Sequence, residues 1–210
     1  MRIIVFGASG GTGREIVAQA LERGYQVTAF VRRPEGFAIS HERLSVVRGD
    51  VLDAASVEAA MPGHDAALCA IGNRQYALPS NILSKGTRHI VDAMETHGVR
   101  RFVCETSLGI GDSFGRLGVY YTLFVYPTVM PFYWFDKEGQ EKVVKKSHLE
   151  WVIVRPGQLT NGRKRGQYKH GPKVGNYLWS VSISRADVAD FMLNQLGETP
   201  YLRTAVGVCY

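Results

Sequence analysis

The chain alternates two hydrophobic patterns from its first residues. Residues 3–6 form a continuous apolar run that ends in glycine, and residues 15–23 carry Ile16, Val17, Ala20 and Leu21 at helical spacing with Gly24 as the stop. The first reads as a strand and the second as a helix. Strand patterns return at 26–31, 44–47 and 65–71, with a helical segment at 54–61 between the last two. A helix that opens near Ser80 keeps Leu83, Gly86, Ile90 and Met94 on one face and ends at Gly98. Residues 101–104 and 151–154 read as strands and 138–147 as a helix between them. Ser184-Arg185-Ala186-Asp187 resembles a capping box that starts a helix over 188–196, and 204–208 supplies a last strand.

The alternation never splits into two blocks. Strands separated by helices imply parallel βαβ units with right-handed crossovers. The expected fold is an α/β single domain over residues 1–210: a Rossmann-type doubly wound parallel β-sheet with helices on both faces. Ligands of such a sheet bind at the carboxyl ends of its strands.

Composition narrows the function. A hydrophobic content of 45% over 210 residues is ample for a sheet buried on both faces. The leading apolar run is too short for a signal sequence, so a cytoplasmic location is expected. Cys69, Cys104 and Cys209 lie far apart without metal-ligand spacing and read as buried thiols, with no metal site. The net charge of +6 could suit nucleic acid, but no helix-turn-helix or RNA-binding pattern accompanies it, and no nucleic-acid partner is expected. A phosphate-rich small ligand uses the same charge. The densest basic stretch, 161–173, holds Arg163, Lys164, Arg165, Lys169 and Lys173 among glycines and proline, and reads as a solvated loop.

The first turn is Gly7-Ala8-Ser9-Gly10-Gly11-Thr12-Gly13, a G-x-x-G-x-x-G between a strand and a helix. A pyrophosphate needs close backbone approach, free N–H groups at a helix N-terminus and tight packing of helix on strand. Gly7, Ser9, Gly10, Gly11, Thr12 and Gly13 are therefore the candidate phosphate site. An NAD-specific site would carry an acid at the end of the second strand, where this chain has Arg32 and Arg33. Two guanidiniums can pair a 2′-phosphate and offer nothing to a free hydroxyl, so NADP(H) is the expected cofactor; the alternative is two solvated arginines before Pro34.

The glycine string, Gly49-Asp50-Val51-Leu52-Asp53, Ile71-Gly72, Thr106-Ser107 and Arg155-Pro156-Gly157 together resemble the atypical short-chain dehydrogenase/reductases. Within that group the chain is similar to NmrA-like proteins and biliverdin-IXβ/flavin reductases, the latter especially over 84–99. The likeness covers nearly the whole chain. It implies that Asp50 and Val51 border adenine, that Ile71 and Gly72 lie along ribose and pyrophosphate, and that Pro156 sits by the nicotinamide. Taken singly they read as a helix cap at Asp50, core at Val51 and Ile71, and turn residues at Gly72 and Pro156.

Tyr133 and Lys137 fit the Tyr-x-x-x-Lys of the wider dehydrogenase family, with Glu141 one helical turn further on. A neighbouring ammonium lowers a phenol's pKa from about 10, so Tyr133 could pass a proton to a substrate oxygen. Lys137 would also hold the nicotinamide ribose, and Ser107 would hydrogen-bond the substrate carbonyl. The alternatives are an aromatic packed in an apolar wall at Tyr133 and a backbone-bonded strand-end residue at Ser107.

Residues 107–136 form an aromatic-rich insertion, uncharged from 117 to 135. Pro127, Pro131, four tyrosines and the flanking βαβ units argue against a bilayer span, and no membrane partner is expected. The segment reads as core, as the interface of a homodimer, or as a lid that makes a dry pocket for a flat or apolar small-molecule acceptor. The function expected is an NADPH-dependent oxidoreductase that passes hydride to a small carbonyl, quinone or flavin-like acceptor. The alternative is a non-catalytic, NmrA-like NADP(H)-binding redox sensor. A nucleotide-sugar epimerase is disfavoured because the chain lacks a sizeable substrate domain.

Overall fold

Strand residues alternate between two cores. Ile3 and Val5 of β1 (Arg2–Phe6) point to one side, where Ile16, Val17 and Ala20 of α1 (Gly11–Glu22) meet Val188, Met192 and Leu193 of α5 (Arg185–Asn194). Ile4 and Phe6 point to the other, against α2 (Ala54–Ala60), α3 (Ile82–Thr96) and α4 (Pro131–Lys146). Burial on both faces is why these strands are continuous apolar runs in the sequence. The protein, seen here as a computed structural model, is described at residues 1–73, 78–197 and 199–210.

The other strands are β2 (Gln26–Val31), β3 (Leu44–Arg48), β4 (Ala66–Cys69), β5 (Arg101–Glu105), β6 (Glu150–Pro156), β7 (Gln158–Thr160), β8 (Lys169–Gly171), β9 (Ser182–Ser184) and β10 (Thr204–Cys209). Eight of them form one sheet in the order β3-β2-β1-β4-β5-β6-β10-β8, parallel except where β8 pairs antiparallel with β10. β7 and β9 make a separate parallel pair. This is the doubly wound Rossmann-like arrangement read from the alternation. The order of strand addition reverses at β1, with β2 and β3 on one side of it and β4 on the other, so the carboxyl ends of β1 and β4 open the crevice typical of such a switch point.

Several element bounds differ from the sequence reading, for identifiable reasons. α4 starts at Pro131 rather than 138, because proline at a first helical position lacks only an N–H that would have no partner there. β6 continues through Pro156, which stands opposite Val208 of β10. The basic stretch is more than a solvated loop. Arg163, Lys164, Arg165, Lys169 and Lys173 are exposed, but the chain there forms β8 and folds Tyr168 back so that its hydroxyl donates to Asp190 Oδ2 at 2.8 Å. Residues 107–136 contain a 3₁₀ turn at Gly111–Ser113 and a π-helix at Tyr121–Val129, anchored by a small core of Leu108, Leu117 and Tyr126. All three cysteines are buried free thiols, as read from the sequence. Among the described residues no helix is long and apolar enough to cross a membrane.

Candidate cofactor crevice and active site

The glycines after β1 do different jobs. Gly7 has φ +78°, and a Cβ there would stand 2.4 Å from Ala70 O, while a Cβ on Gly13 would stand 2.1 Å from Gly7 O. These two hold β1, β4 and α1 in contact, and no side chain fits at either. Gly10 is the N-cap of α1, its N–H donating to Gly7 O at 2.9 Å, and a Cβ there would meet Gly7 O at 3.2 Å. The first turn of α1 carries no acid and its N-cap no side-chain acceptor, so its N–H groups and positive dipole end are left for an anion. Gly10→Val is therefore expected to leave a folded protein by circular dichroism while weakening NADPH and NADH at least tenfold by calorimetry. Normal affinity in the folded variant would place the phosphates elsewhere.

Around this turn the side chains separate. Ser9 and Gly11 are exposed, whereas Thr12 is buried and donates to Glu105 Oε1 at 3.0 Å. Thr12 thus has only its backbone N–H to offer a ligand. Burial pushes the Glu105 carboxyl up from its ordinary value, against the pull of Lys137, Thr12 and Arg185. Arg185, missed in the sequence, lies on the turn: a Cβ on Gly11 would meet its Cδ at 2.5 Å and its Nε at 2.6 Å. Its Nη1 donates to Asn161 Oδ1 at 2.6 Å. The only sequence signal was its place after the Ser184 cap, whose hydroxyl accepts from Asp187 N.

The proposed adenine side lies at the same edge of the sheet. Arg32 and Arg33 follow β2, are exposed, and join no ion pair among the described residues. The cap of α2 is Asp53, which accepts from Ala55 N; Asp50 instead accepts from Leu52 N at 3.0 Å, which corrects the reading of Asp50 as a helix cap. Val51 is half-buried over Gly86, where a Cβ would come within 2.8 Å of its Cγ2. Ile71 is buried and Gly72 exposed, just beyond the end of β4 and separated from it by Ala70.

At the ends of β5 and β6 the expected catalytic residues gather, with changes. Ser107 is half-buried; its Oγ donates to Leu108 O at 3.1 Å and lies 3.5 Å from Tyr126 Oη. Tyr126, not singled out by the sequence, donates to Leu108 O at 2.7 Å, and burial pushes its phenol up to about 12. A phenol so bonded and so weakly acidic latches the segment and is a poor proton donor. Tyr133 and Lys137 do share one face of α4, with Nζ 5.8 Å from the Tyr133 ring centroid. Lys137 is only 2% exposed, and Nζ donates to Glu105 O at 3.1 Å and to Gln140 Oε1 at 3.0 Å. Burial disfavours its charge, yet Tyr133, Glu105 and the thiols of Cys104 and Cys69 outweigh that and hold the ammonium above its ordinary pKa.

Beneath this region lies a buried ion network. Arg155, 1% exposed, donates to Glu141 through Nε at 2.8 Å and Nη2 at 2.7 Å, and through Nη2 to Asp112 Oδ1 at 2.7 Å. Thr106 Oγ1 and Lys145 Nζ also donate to Glu141, each at 2.9 Å. Glu141 is therefore a bracket joining α4 to β5 and β6, and the adjoining Pro156 is buried.

Comparison with known proteins agrees with this geometry. A model of the NAD(P)H-binding family matches residues 7–199. An uncharacterized chloroplastic protein of Arabidopsis thaliana is 33% identical over 204 residues, 93% of this chain and 71% of its own. Among solved structures, an anaerobilin reductase from Escherichia coli O157:H7 superposes with a TM-score of 0.79 at 25% identity, covering 99% of this chain and 96% of that one. A short-chain dehydrogenase/reductase from Veillonella parvula, solved in complex with NADP, has a TM-score of 0.80 at 22% identity, covering 99% and 93%.

Proposed function

The chain belongs to the NAD(P)H-binding family, and from that premise we propose that it is an atypical short-chain dehydrogenase/reductase, a cytoplasmic NADPH-dependent reductase of a small, flat or apolar acceptor. The observation that carries this reading is one shared edge. The open N-terminus of α1, Arg32 and Arg33, Ser107, and Lys137 with the Tyr133 ring beside it all lie where the strands end. The glycine turn fits a pyrophosphate because Gly10 and Gly11 put no side chain of their own over the helix N-terminus, and Arg185 adds a cation beside it. A bound NADPH would supply the hydride. Asp50, Val51, Ile71 and Gly72 then line the dinucleotide, and Pro156 closes the nicotinamide end. Ser107 orients an acceptor oxygen once its hydroxyl turns from Leu108 O, and Tyr133 supplies the proton when the acceptor is a carbonyl. The aromatic insertion keeps water from that end.

The choice of NADPH is testable. Losing a charge-assisted contact costs about 1.5–3 kcal/mol, so Arg32→Ala or Arg33→Ala should weaken NADPH roughly ten- to a hundredfold by calorimetry and barely change NADH. Equal affinities in the unmutated protein would refute the assignment. The reaction is tested by NADPH consumption with flavins, quinones and aldehydes. One observation favours a second reading, the non-catalytic sensor: the Lys137 ammonium is turned inward and bonded, as is the Ser107 hydroxyl. That reading holds if NADPH and NADP⁺ bind with different affinities and no acceptor is reduced.

A further inference from the structure

The aromatic insertion does more than line a crevice. Among the described residues, sixteen large hydrophobic side chains are exposed, and eleven of them fall in 114–135 and 177–179. Tyr120, Leu123, Phe124, Phe135, Leu178 and Trp179 are 59–74% exposed. The two segments make one surface. Leu117 bridges Asn176, Arg116 Nε donates to Tyr177 Oη at 3.2 Å, and a Cβ on Gly118 would stand 2.7 Å from the Trp179 carbonyl carbon. Scattered exposed apolar residues mean little, but a contiguous patch marks an interaction surface. The π-helix at its centre is apolar on all sides, yet Tyr126 is its only buried residue. A helix of that kind is normally covered by protein or lipid.

Charge selects what covers it. Residues 114–135 and 161–180 contain Arg116, Arg163, Lys164, Arg165, Lys169 and Lys173 and no acid. Lys164 pairs with Asp190 at 2.7 Å, and the other five join no ion pair among the described residues. Arg116 Nη1 donates to Pro172 O at 2.6 Å, which ties the basic stretch to the apolar face, and β8 carries Lys169 along the carboxyl end of β10. A second copy of the chain fits poorly, because a two-fold contact would set these cations against their equals with no carboxylate to pair them. An anionic bilayer meets both demands, with acyl chains for the aromatic face and headgroup phosphates for its basic rim.

We propose that this face docks the protein onto an anionic lipid surface, lying on the bilayer without crossing it. Leu123, Phe124 and Trp179 enter the acyl boundary, while Arg116, Lys169 and Lys173 meet phosphates. This narrows the expectation of no membrane partner to the absence of a span. The Ser107–Tyr126 contact joins the face to the candidate active site, so an acceptor dissolved in lipid would reach it without crossing water. That corollary rests on the reductase reading; the docking does not.

Sedimentation with vesicles tests the docking on the whole chain. Vesicles of phosphatidylcholine mixed with an equal part of phosphatidylglycerol should carry the protein down. Vesicles of phosphatidylcholine alone, or the mixed vesicles in about 1 M salt, where the Debye length is ~3 Å, should do so far less. Leu123→Ser, Phe124→Ser and Trp179→Ser should each weaken partitioning about tenfold while NADPH binding stays normal, which shows the fold is intact. Three results would overturn the proposal: no sedimentation of the folded protein with mixed vesicles, equal partitioning onto neutral ones, or a dimer in light scattering that Phe124→Ser splits. Failure of NADPH turnover with vesicle binding intact would count against the reductase reading alone.

Discussion

Tyr133→Phe is expected to lower turnover of an aldehyde or ketone by roughly 10²–10⁴-fold while NADPH affinity stays near normal. A carbonyl becomes an alkoxide as hydride arrives and needs a proton at once. Tyr133, beside the Lys137 ammonium, is the candidate donor because Tyr126, the phenol that contacts Ser107, is bonded to Leu108 O and pushed up to about 12. Tyr126→Phe should therefore act through the order of the insertion, with a much smaller effect on turnover. Flavins and quinones delocalise the incoming charge and take protons from water, so for them Tyr133→Phe should change turnover only a few-fold. A carbonyl turnover unaffected by Tyr133→Phe would make the residue part of an apolar wall. Lys137→Ala is a poor control, since Glu105 O and Gln140 would lose their buried partner and stability would fall with binding.

Glu141→Ala should cost about 3–5 kcal/mol of stability, because the buried Arg155 loses its bidentate partner and keeps only Asp112, whose side chain is 68% exposed. For a chain of this size that is roughly 6–20 °C in Tm. Burial alone would raise the Glu141 pKa, but hydrogen bonds and charge from Arg155 and Lys145 outweigh it and hold the carboxyl below its ordinary 4.5. A depressed folded value means that this stabilisation is complete above about 4.5 and is lost as pH falls through the folded value. The unmutated protein should therefore lose Tm on acidification below that point, and the variant should lose less. A variant melting within about 2 °C of the parent at pH 7 would show the network to be worth little.

The fold was legible because its signals are long and local. Twelve residues of α1 and the two-sided burial of β1 leave clear patterns, whereas β7, β8 and β9 have three residues each and no period to read. The start of α4 was obscured because its first turn, from Pro131, lies inside an uncharged run where helical and strand patterns look alike. Around the candidate site, the place of the glycine turn after β1 and of Arg32 and Arg33 after β2 was readable, since it depends on consecutive residues. Thr12 with Glu105, Arg185 over Gly11, and Arg155 with Glu141 were not. Each joins residues from separate elements, and only the folded sheet brings them together.

On the function proposed above, the crevice between β1 and β4 holds the NADPH that delivers hydride. Initial rates with NADPH and with NADH, measured on the same protein with whichever flavin, quinone or aldehyde it reduces best, test it most directly. The expected result is acceptor-dependent oxidation with kcat/KM favouring NADPH by roughly ten- to a hundredfold, the worth of one charge-assisted contact to the 2′-phosphate. Equal rates with the two cofactors, or tight NADPH binding with no acceptor reduced, would contradict it.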